Sequence, residues 1–303
     1  MKRHRKEKRK MDKNKKKIRI ADLHTHTTAS SGNLTPGELV KLAKKNGLYA
    51  LAITDNDTLK GIKELMDAGE DFGIELIPGV EMSVSSDPDM QILGLFVDPN
   101  NEELNRILDN TQDQKQRFLA RAIKQLEKHE VRVDMAEIIK RKISSINELI
   151  DYLTEIKVFA TASEGRAFFG RLYFEWKCEL PSPQKCFETI HRADGLAILA
   201  YPLVLGLNDD DLKNLLLQLK KKGLDGIEVN HPGHSEEYKE MLVGYAKELD
   251  LLVSGGSDFG RKPYIDELPV ADIKTGVAYE LVEEMKRQIA GYKNDMDAMR
   301  TFD

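Results

Sequence analysis

His24 and His26 sit two residues apart in "ADLHTHTTASSG", just after an apolar run. Residues at i and i+2 of a strand point to the same face, so two imidazoles can aim at one point, as a divalent metal requires. Taken alone, the pair is equally well read as polar residues that end a strand. Carboxylates elsewhere change the balance. Glu81 in "IPGVEMS" and Asp258 in "LLVSGGSD" both follow apolar stretches, where an unpaired charge is costly to bury. Two imidazoles with two carboxylates suit Zn, Mn or Fe. His231, at the end of "GIEVNH", could touch a phosphate or protonate a leaving oxygen. Arg117 and Arg121 are four apart and so share a helix face. A guanidinium fork suits an oxyanion, and ordinary surface arginines are the other reading.

These groups need a scaffold that brings distant segments together. From Ile18 the pattern alternates. "IRIADLHTH" reads as a strand, and "TPGELVKLAKKNG" as a helix with Thr35 as cap, Pro36 in the first turn and Gly47 as stop. "YALAIT", "IELIPGVEMSV" and "MQILGLFV" read as further strands, and a long helix is expected over about 102–129. About 131–190 has helical patches without alternating strands. Strand–helix alternation then returns through "LAILAY", "GIEVNH" and "LLVSGGSD", before a last helix at about 278–290. Such alternation predicts an α/β fold, a mostly parallel sheet or barrel with a helical insertion at about 131–190. Ligands gather at the carboxyl ends of strands in these folds, where the polar clusters fall.

Composition sets outer bounds. The 303 residues are 41% hydrophobic and 32% charged, enough for a sizeable core under a well-solvated surface. Cys178 and Cys186 alone give no disulfide framework, which fits a reducing compartment, the cytoplasm. No apolar run is long enough to span a bilayer, and no apolar stretch follows the basic N-terminus as in a signal peptide. Residues 1–17 carry a net +9 within a chain of net −5, which leaves −14 on the remainder. The segment reads as a disordered basic tail, or as a weak tether to nucleic acid or anionic lipid.

The run "DLHTHTTASSGNLTPGELVKLAKKNGLYALAITDNDTLKG", with "IPGVEMS", "GLDGIEVNHPGHS" and "LLVSGGSDF", resembles the PHP (polymerase and histidinol phosphatase) superfamily of metal-dependent phosphoesterases. The resemblance covers about 18–273. Nearest in layout are members that dephosphorylate nucleoside bisphosphates or trim short RNA ends. It implies a distorted TIM-like barrel spanning 18–303 with a small inserted helical domain. It also implies a cluster of metals that activates a water against phosphorus. His24, His26, Glu81 and Asp258 match the family's ligands, with Asp258 and His231 as catalytic residues and Arg117, Arg121 and Arg166 as phosphate contacts. The family pattern has Asp at Ser31 and His at Asn56, Gln91, Tyr201 and Gly260. In "GRAF", Phe168 also replaces a His. The resemblance therefore implies a reduced site with one or two divalent metals (Mn, Zn or Fe) at most, or none. Two functions are open at this level. One is a hydrolase of phosphate esters on nucleotides or short nucleic acids. The other is an inactive PHP-fold protein that binds a phosphorylated ligand or a protein.

Overall fold

A computed structural model describes residues 18–68, 73–86, 90–141, 143, 145–175, 180–260 and 275–300. The basic tail lies outside the described residues, as do Trp176 and Cys178. The barrel half begins with β1 (Ile20–Asp22), α1 (Pro36–Lys45), β2 (Ala50–Ile53), α2 (Lys60–Ala68), β3 (Glu75–Ser83) and β4 (Gln91–Leu95). A helical stretch follows: α3 (Glu102–Lys128), α4 (Met135–Lys140), α5 (Ile146–Glu155), α6 (Ala162–Glu175) and α7 (Pro183–Arg192). The remaining elements are β5 (Leu196–Leu199), α8 (Asp209–Lys221), β6 (Gly226–Asn230), α9 (Glu236–Glu248), β7 (Leu252–Gly255), β8 (Val277–Ala278) and α10 (Tyr279–Arg300).

The strand order is β7-β6-β5-β4-β3-β2-β1-β8. The Leu23 N–H donates to the Gly255 carbonyl at 3.1 Å, and Thr25 bridges Phe259, so β1 meets β7 and the sheet nearly closes into a barrel. The expected α/β barrel is therefore present. Most neighbours are parallel, but β4 runs antiparallel to both β3 and β5. The β3–β4 link is short, and a short link can join only antiparallel strands.

Period-2 alternation sorts the side chains. Leu196 and Ile198 of β5 point into the barrel with Ala50, Ala52 and Leu93, while Ala197 and Leu199 join the layer under the helices. The expected cap of α1 is present: Thr35 and Glu38 form a reciprocal capping box, with Pro36 at the first position. Gly47 follows at φ +80°, a left-handed conformation that glycine adopts freely.

The helical stretch has its own core. Phe118, Ala122 and Leu126 of α3 pack on Ile138, Leu149, Leu153 and Phe169. Phe168 is partly buried against the same cluster. By contrast, Cys186, Phe187 and Ile190 of α7 belong to the barrel's outer layer.

Candidate metal centre

The loops at the carboxyl ends of the strands carry the chemistry, and buried carboxylates hold them. Asp55, after β2, accepts from the Thr27 N–H and hydroxyl, both at 2.7 Å, and from the Ser30 hydroxyl at 2.5 Å. Asp22 ties β1 to the segment after β7, accepting from Ser257 Oγ at 2.6 Å and Ser257 N at 3.0 Å. Burial pushes the Asp22 carboxyl up to about 6, although these hydrogen bonds oppose the shift. The non-glycine residues Asp57, Tyr201 and Asp258 adopt φ values of 51°, 35° and 51° at three different strand ends. Such strained backbone persists only where surrounding structure fixes it.

His24, His26, Glu81 and Asp258 converge, each at most 3% exposed. His24 Nε2 lies 3.4 Å from Glu81 Oε1 and 3.6 Å from Asp258 Oδ1. His26 Nε2 lies 3.1 Å from Asp258 Oδ1 and 3.7 Å from Glu81 Oε2. Four atoms around one ion with bonds of about 2.1 Å are about 3.4 Å apart in a tetrahedral arrangement. The two imidazole spacings to Asp258 Oδ1, 3.6 and 3.1 Å, bracket that value, while Glu81 meets the two imidazoles with different oxygens. His24 Nε2 is buried with no hydrogen-bond partner, as a ligand atom awaiting a cation is. His24, His26 and Asp258 are also the trio among the described residues whose ligand atoms cluster tightly enough to hold an ion. On donor chemistry and geometry, these residues fit one divalent metal.

Sequence reasoning passed over the residue that orients His24. Glu228 Oε1 lies 2.9 Å from His24 Nδ1, and both groups are buried. Burial disfavours the Glu228 charge, but the His24 charge outweighs it and holds the carboxyl below its usual range. An ionised carboxylate only accepts, so Nδ1 carries a proton and Nε2 is the nitrogen turned toward Glu81 and Asp258. The signal was a lone charge inside the apolar run "GIEVN". Asp258 is likewise held well below the usual carboxylate range: burial opposes this, and the imidazoles of His24, His231 and His26 prevail.

His231 meets this cluster from the other side. Its Nδ1 accepts from the Gly233 N–H at 3.0 Å, and its Nε2 faces Asp258 Oδ2 at 3.5 Å. Tyr201 stacks on its ring at 3.8 Å and 21°. A Cβ on Gly233 would come within 2.4 Å of the Tyr201 hydroxyl, so glycine there admits the ring. Tyr201 is thus a packing partner of His231.

The other departures from the family pattern are rebuilt as well. Ser31 Oγ donates to Asn56 Oδ1 at 3.0 Å, and Asn56 Nδ2 donates to Glu81 Oε2. A Ser31–Asn56–Glu81 chain of hydrogen bonds therefore stands where the resemblance implies ligands. Gly260, at φ +97°, packs against His26; a Cβ there would lie 2.8 Å from the His26 carbonyl oxygen. Gln91 sits at the start of β4, opposite Ser83.

Beside this centre lies a cavity of about 390 Å³, lined by Ser30, Ser31, Asn56 and Asp57 from the barrel loops, Gln112, Lys115 and Gln116 from α3, and Ile138, Ile139 and Ile143 from the helical unit. Arg117, Arg121 and Arg166 do not line it. All three are exposed, and Arg117 pairs with Asp113 on its own helix at 2.9 Å. The basic residue that does reach the cavity is Lys115, two positions before Arg117, and the sequence reading missed it.

The model of the PHP domain family matches residues 22–294. The chain belongs to the PHP domain family. It is 32% identical to a 5'-3' exoribonuclease of Haemophilus influenzae over 275 residues, covering 87% of this chain and 96% of that one. It is 27% identical to a 3',5'-nucleoside bisphosphate phosphatase of Chromobacterium violaceum over 253 residues, 78% of this chain and 86% of that one. A crystal structure from Bifidobacterium adolescentis, of a presumed metal-dependent phosphoesterase, superposes with a TM-score of 0.69 at 27% identity, covering 88% of this chain and 94% of that one. No helix among the described residues is long and apolar enough to cross a membrane.

Proposed function

We propose that this PHP-domain chain hydrolyses phosphate esters on nucleotides or short RNA ends, using a single divalent metal held by His24, His26, Glu81 and Asp258. The observation that carries this reading is the set of imidazole–carboxylate spacings, 3.1–3.7 Å, among His24, His26, Glu81 and Asp258, with His24 Nε2 lacking a hydrogen-bond partner among the described residues. Such a metal, when bound, lowers the pKa of its water and polarises a phosphoryl oxygen. The chain's own groups do the rest. Glu228 fixes the His24 tautomer. Asn56, itself held by Ser31, donates to Glu81 Oε2, which commits that carboxylate oxygen and argues against a second metal at that point. His231 stands against Asp258, placed to pass a proton to a leaving oxygen. The relatives named as a 5'-3' exoribonuclease and a 3',5'-nucleoside bisphosphate phosphatase support the substrate class.

The inactive reading draws on the same Ser31–Asn56–Glu81 chain, which occupies positions that carry ligands elsewhere in the family. Release of phosphate from adenosine 3',5'-bisphosphate with Mn, before and after Asp258→Ala, separates the two. The hydrolytic reading expects measurable turnover lost in the variant; the inactive reading expects none in either.

A further inference from the structure

The cavity beside the metal centre has two unlike walls. One wall is polar: hydroxyls and an amide from the barrel loops, with the Lys115 ammonium and two amides from α3. Lys115 Nζ lies 2.9 Å from Asp57 Oδ2 and 3.2 Å from Ser83 Oγ. Asp57 is only 2% exposed while the Lys115 side chain is 24% exposed, so the cation is the reachable member of the pair. Asp57 also accepts from the Ser83 N–H and hydroxyl, both at 2.8 Å, which fixes where the ammonium stands. Burial works against the Lys115 charge, but Asp57 more than offsets it and lifts the ammonium above its ordinary range. Among the described residues two of its three N–H groups are engaged, by Asp57 and Ser83, and a third can donate to a ligand oxygen. Ser83 lies two residues beyond Glu81 on the same face of β3, so the ammonium stands roughly 7 Å along the strand from the metal centre.

The opposite wall is apolar. Ile138 and Ile143 are buried in the helical core, but Ile139 is 73% exposed at the cavity lip. An exposed isoleucine facing a cationic polar wall across about 390 Å³ suits a ligand with an anionic end and a flat apolar body.

We propose that Lys115 is a phosphate-binding residue: with Asn56, which the Ser31 hydroxyl holds in place, it receives the phosphate of a nucleoside phosphate whose base lies over Ile139. A fixed side-chain cation then supplies positive charge where Ser31 and Asn56 have replaced ligand-type residues. This deepens the hydrolytic reading and rests on it for the substrate class. The arrangement differs from the arginine contacts that the family resemblance suggests.

The test is titration calorimetry of the full chain with adenosine 5'-monophosphate, adenosine and inorganic phosphate, as purified and after chelation of metal. Lys115→Met alone leaves Asp57 buried and unpaired, so the double variant Lys115→Met/Asp57→Asn removes both charges together. Circular dichroism checks that it folds. Ser31→Ala, at a half-buried position, gives a second probe that leaves the ion pair intact. The monophosphate is expected to bind more tightly than adenosine or phosphate. The double variant should weaken it at least tenfold and Ser31→Ala several-fold, with adenosine binding unchanged in both. Ile139→Ser should weaken the monophosphate and leave inorganic phosphate alone. Wild-type affinity in the folded double variant, or in Ser31→Ala if the double variant does not fold, overturns the proposal. Lys115-dependent binding that survives chelation in a protein without hydrolytic activity upholds the subsite and removes the hydrolytic reading. Hydrolysis with wild-type nucleotide affinity in the variants does the reverse.

Discussion

Glu228 Oε1 lies 2.9 Å from His24 Nδ1 in a fully buried contact, and this one hydrogen bond decides which nitrogen of His24 faces the cleft. Outer partners of this type tune metal sites because they set both the tautomer and the ring orientation. Glu228→Gln keeps the shape but loses the acceptor-only character. It should lower metal affinity by about 10–100-fold. Competition against a chromophoric chelator checks this; an affinity equal to wild type would show that Glu228 does not act through His24.

Restoring the family's ligand residues should succeed at some positions and fail at others. Asn56 donates to Glu81 and Ser31 donates to Asn56, so Ser31→Asp with Asn56→His should raise the metal bound per chain. Gly260→His should not be tolerated. Its φ of +97° and the 2.8 Å approach of a Cβ to the His26 carbonyl demand a backbone shift. The backbone strain alone costs about 1–3 kcal/mol. Urea unfolding of the two constructions checks the contrast, and a Gly260→His protein of wild-type stability would contradict it.

His234 should make the fold sensitive to mild acid. Burial pushes its imidazole down to about 4, with the Val229 carbonyl bond and Glu228 opposing, and His231 and Lys239 adding to the depression. The folded chain thus keeps His234 neutral, while the unfolded chain takes up a proton as pH falls below about 6.5. The stability tied to this group is complete above pH ~6.5, declines as pH falls, and levels off below the folded value. At pH 5 the loss is on the order of 2 kcal/mol. His234→Asn should show a correspondingly shallower loss between pH 7.5 and 5 in urea titrations; parallel slopes would refute the assignment.

Residues 1–17 carry net +9 and no apolar periodicity. Deleting them should leave the melting temperature almost unchanged and weaken RNA binding in a salt-dependent way. A large fall in melting temperature would mean that the segment packs on the barrel.

The sequence made the scaffold readable because period-2 apolar runs and helix caps are local signals. Thr35, Pro36 and Gly47 each stand where their chemistry placed them. The convergence of His24, His26, Glu81 and Asp258 was legible too, since a charge at the end of an apolar strand needs a partner. What escaped was what depends on three-dimensional neighbours. Glu228 reads as one more strand residue until the nearly closed barrel brings its carboxylate to His24. Lys115 was passed over for Arg117 and Arg121 because helix spacing shows which residues share a face, not which face meets the cleft. Nor could a sequence show that Gly260 occupies a left-handed backbone with no space for a side chain, which makes it more than a missing ligand.

The most direct test of the account is the number of metal ions per chain in protein purified without a histidine tag, read by elemental analysis beside His24→Ala/His26→Ala. The account predicts one divalent ion in the wild type and loss of that ion in the double variant. Three tightly bound ions, no bound ion after reconstitution, or a variant that keeps its metal would contradict it.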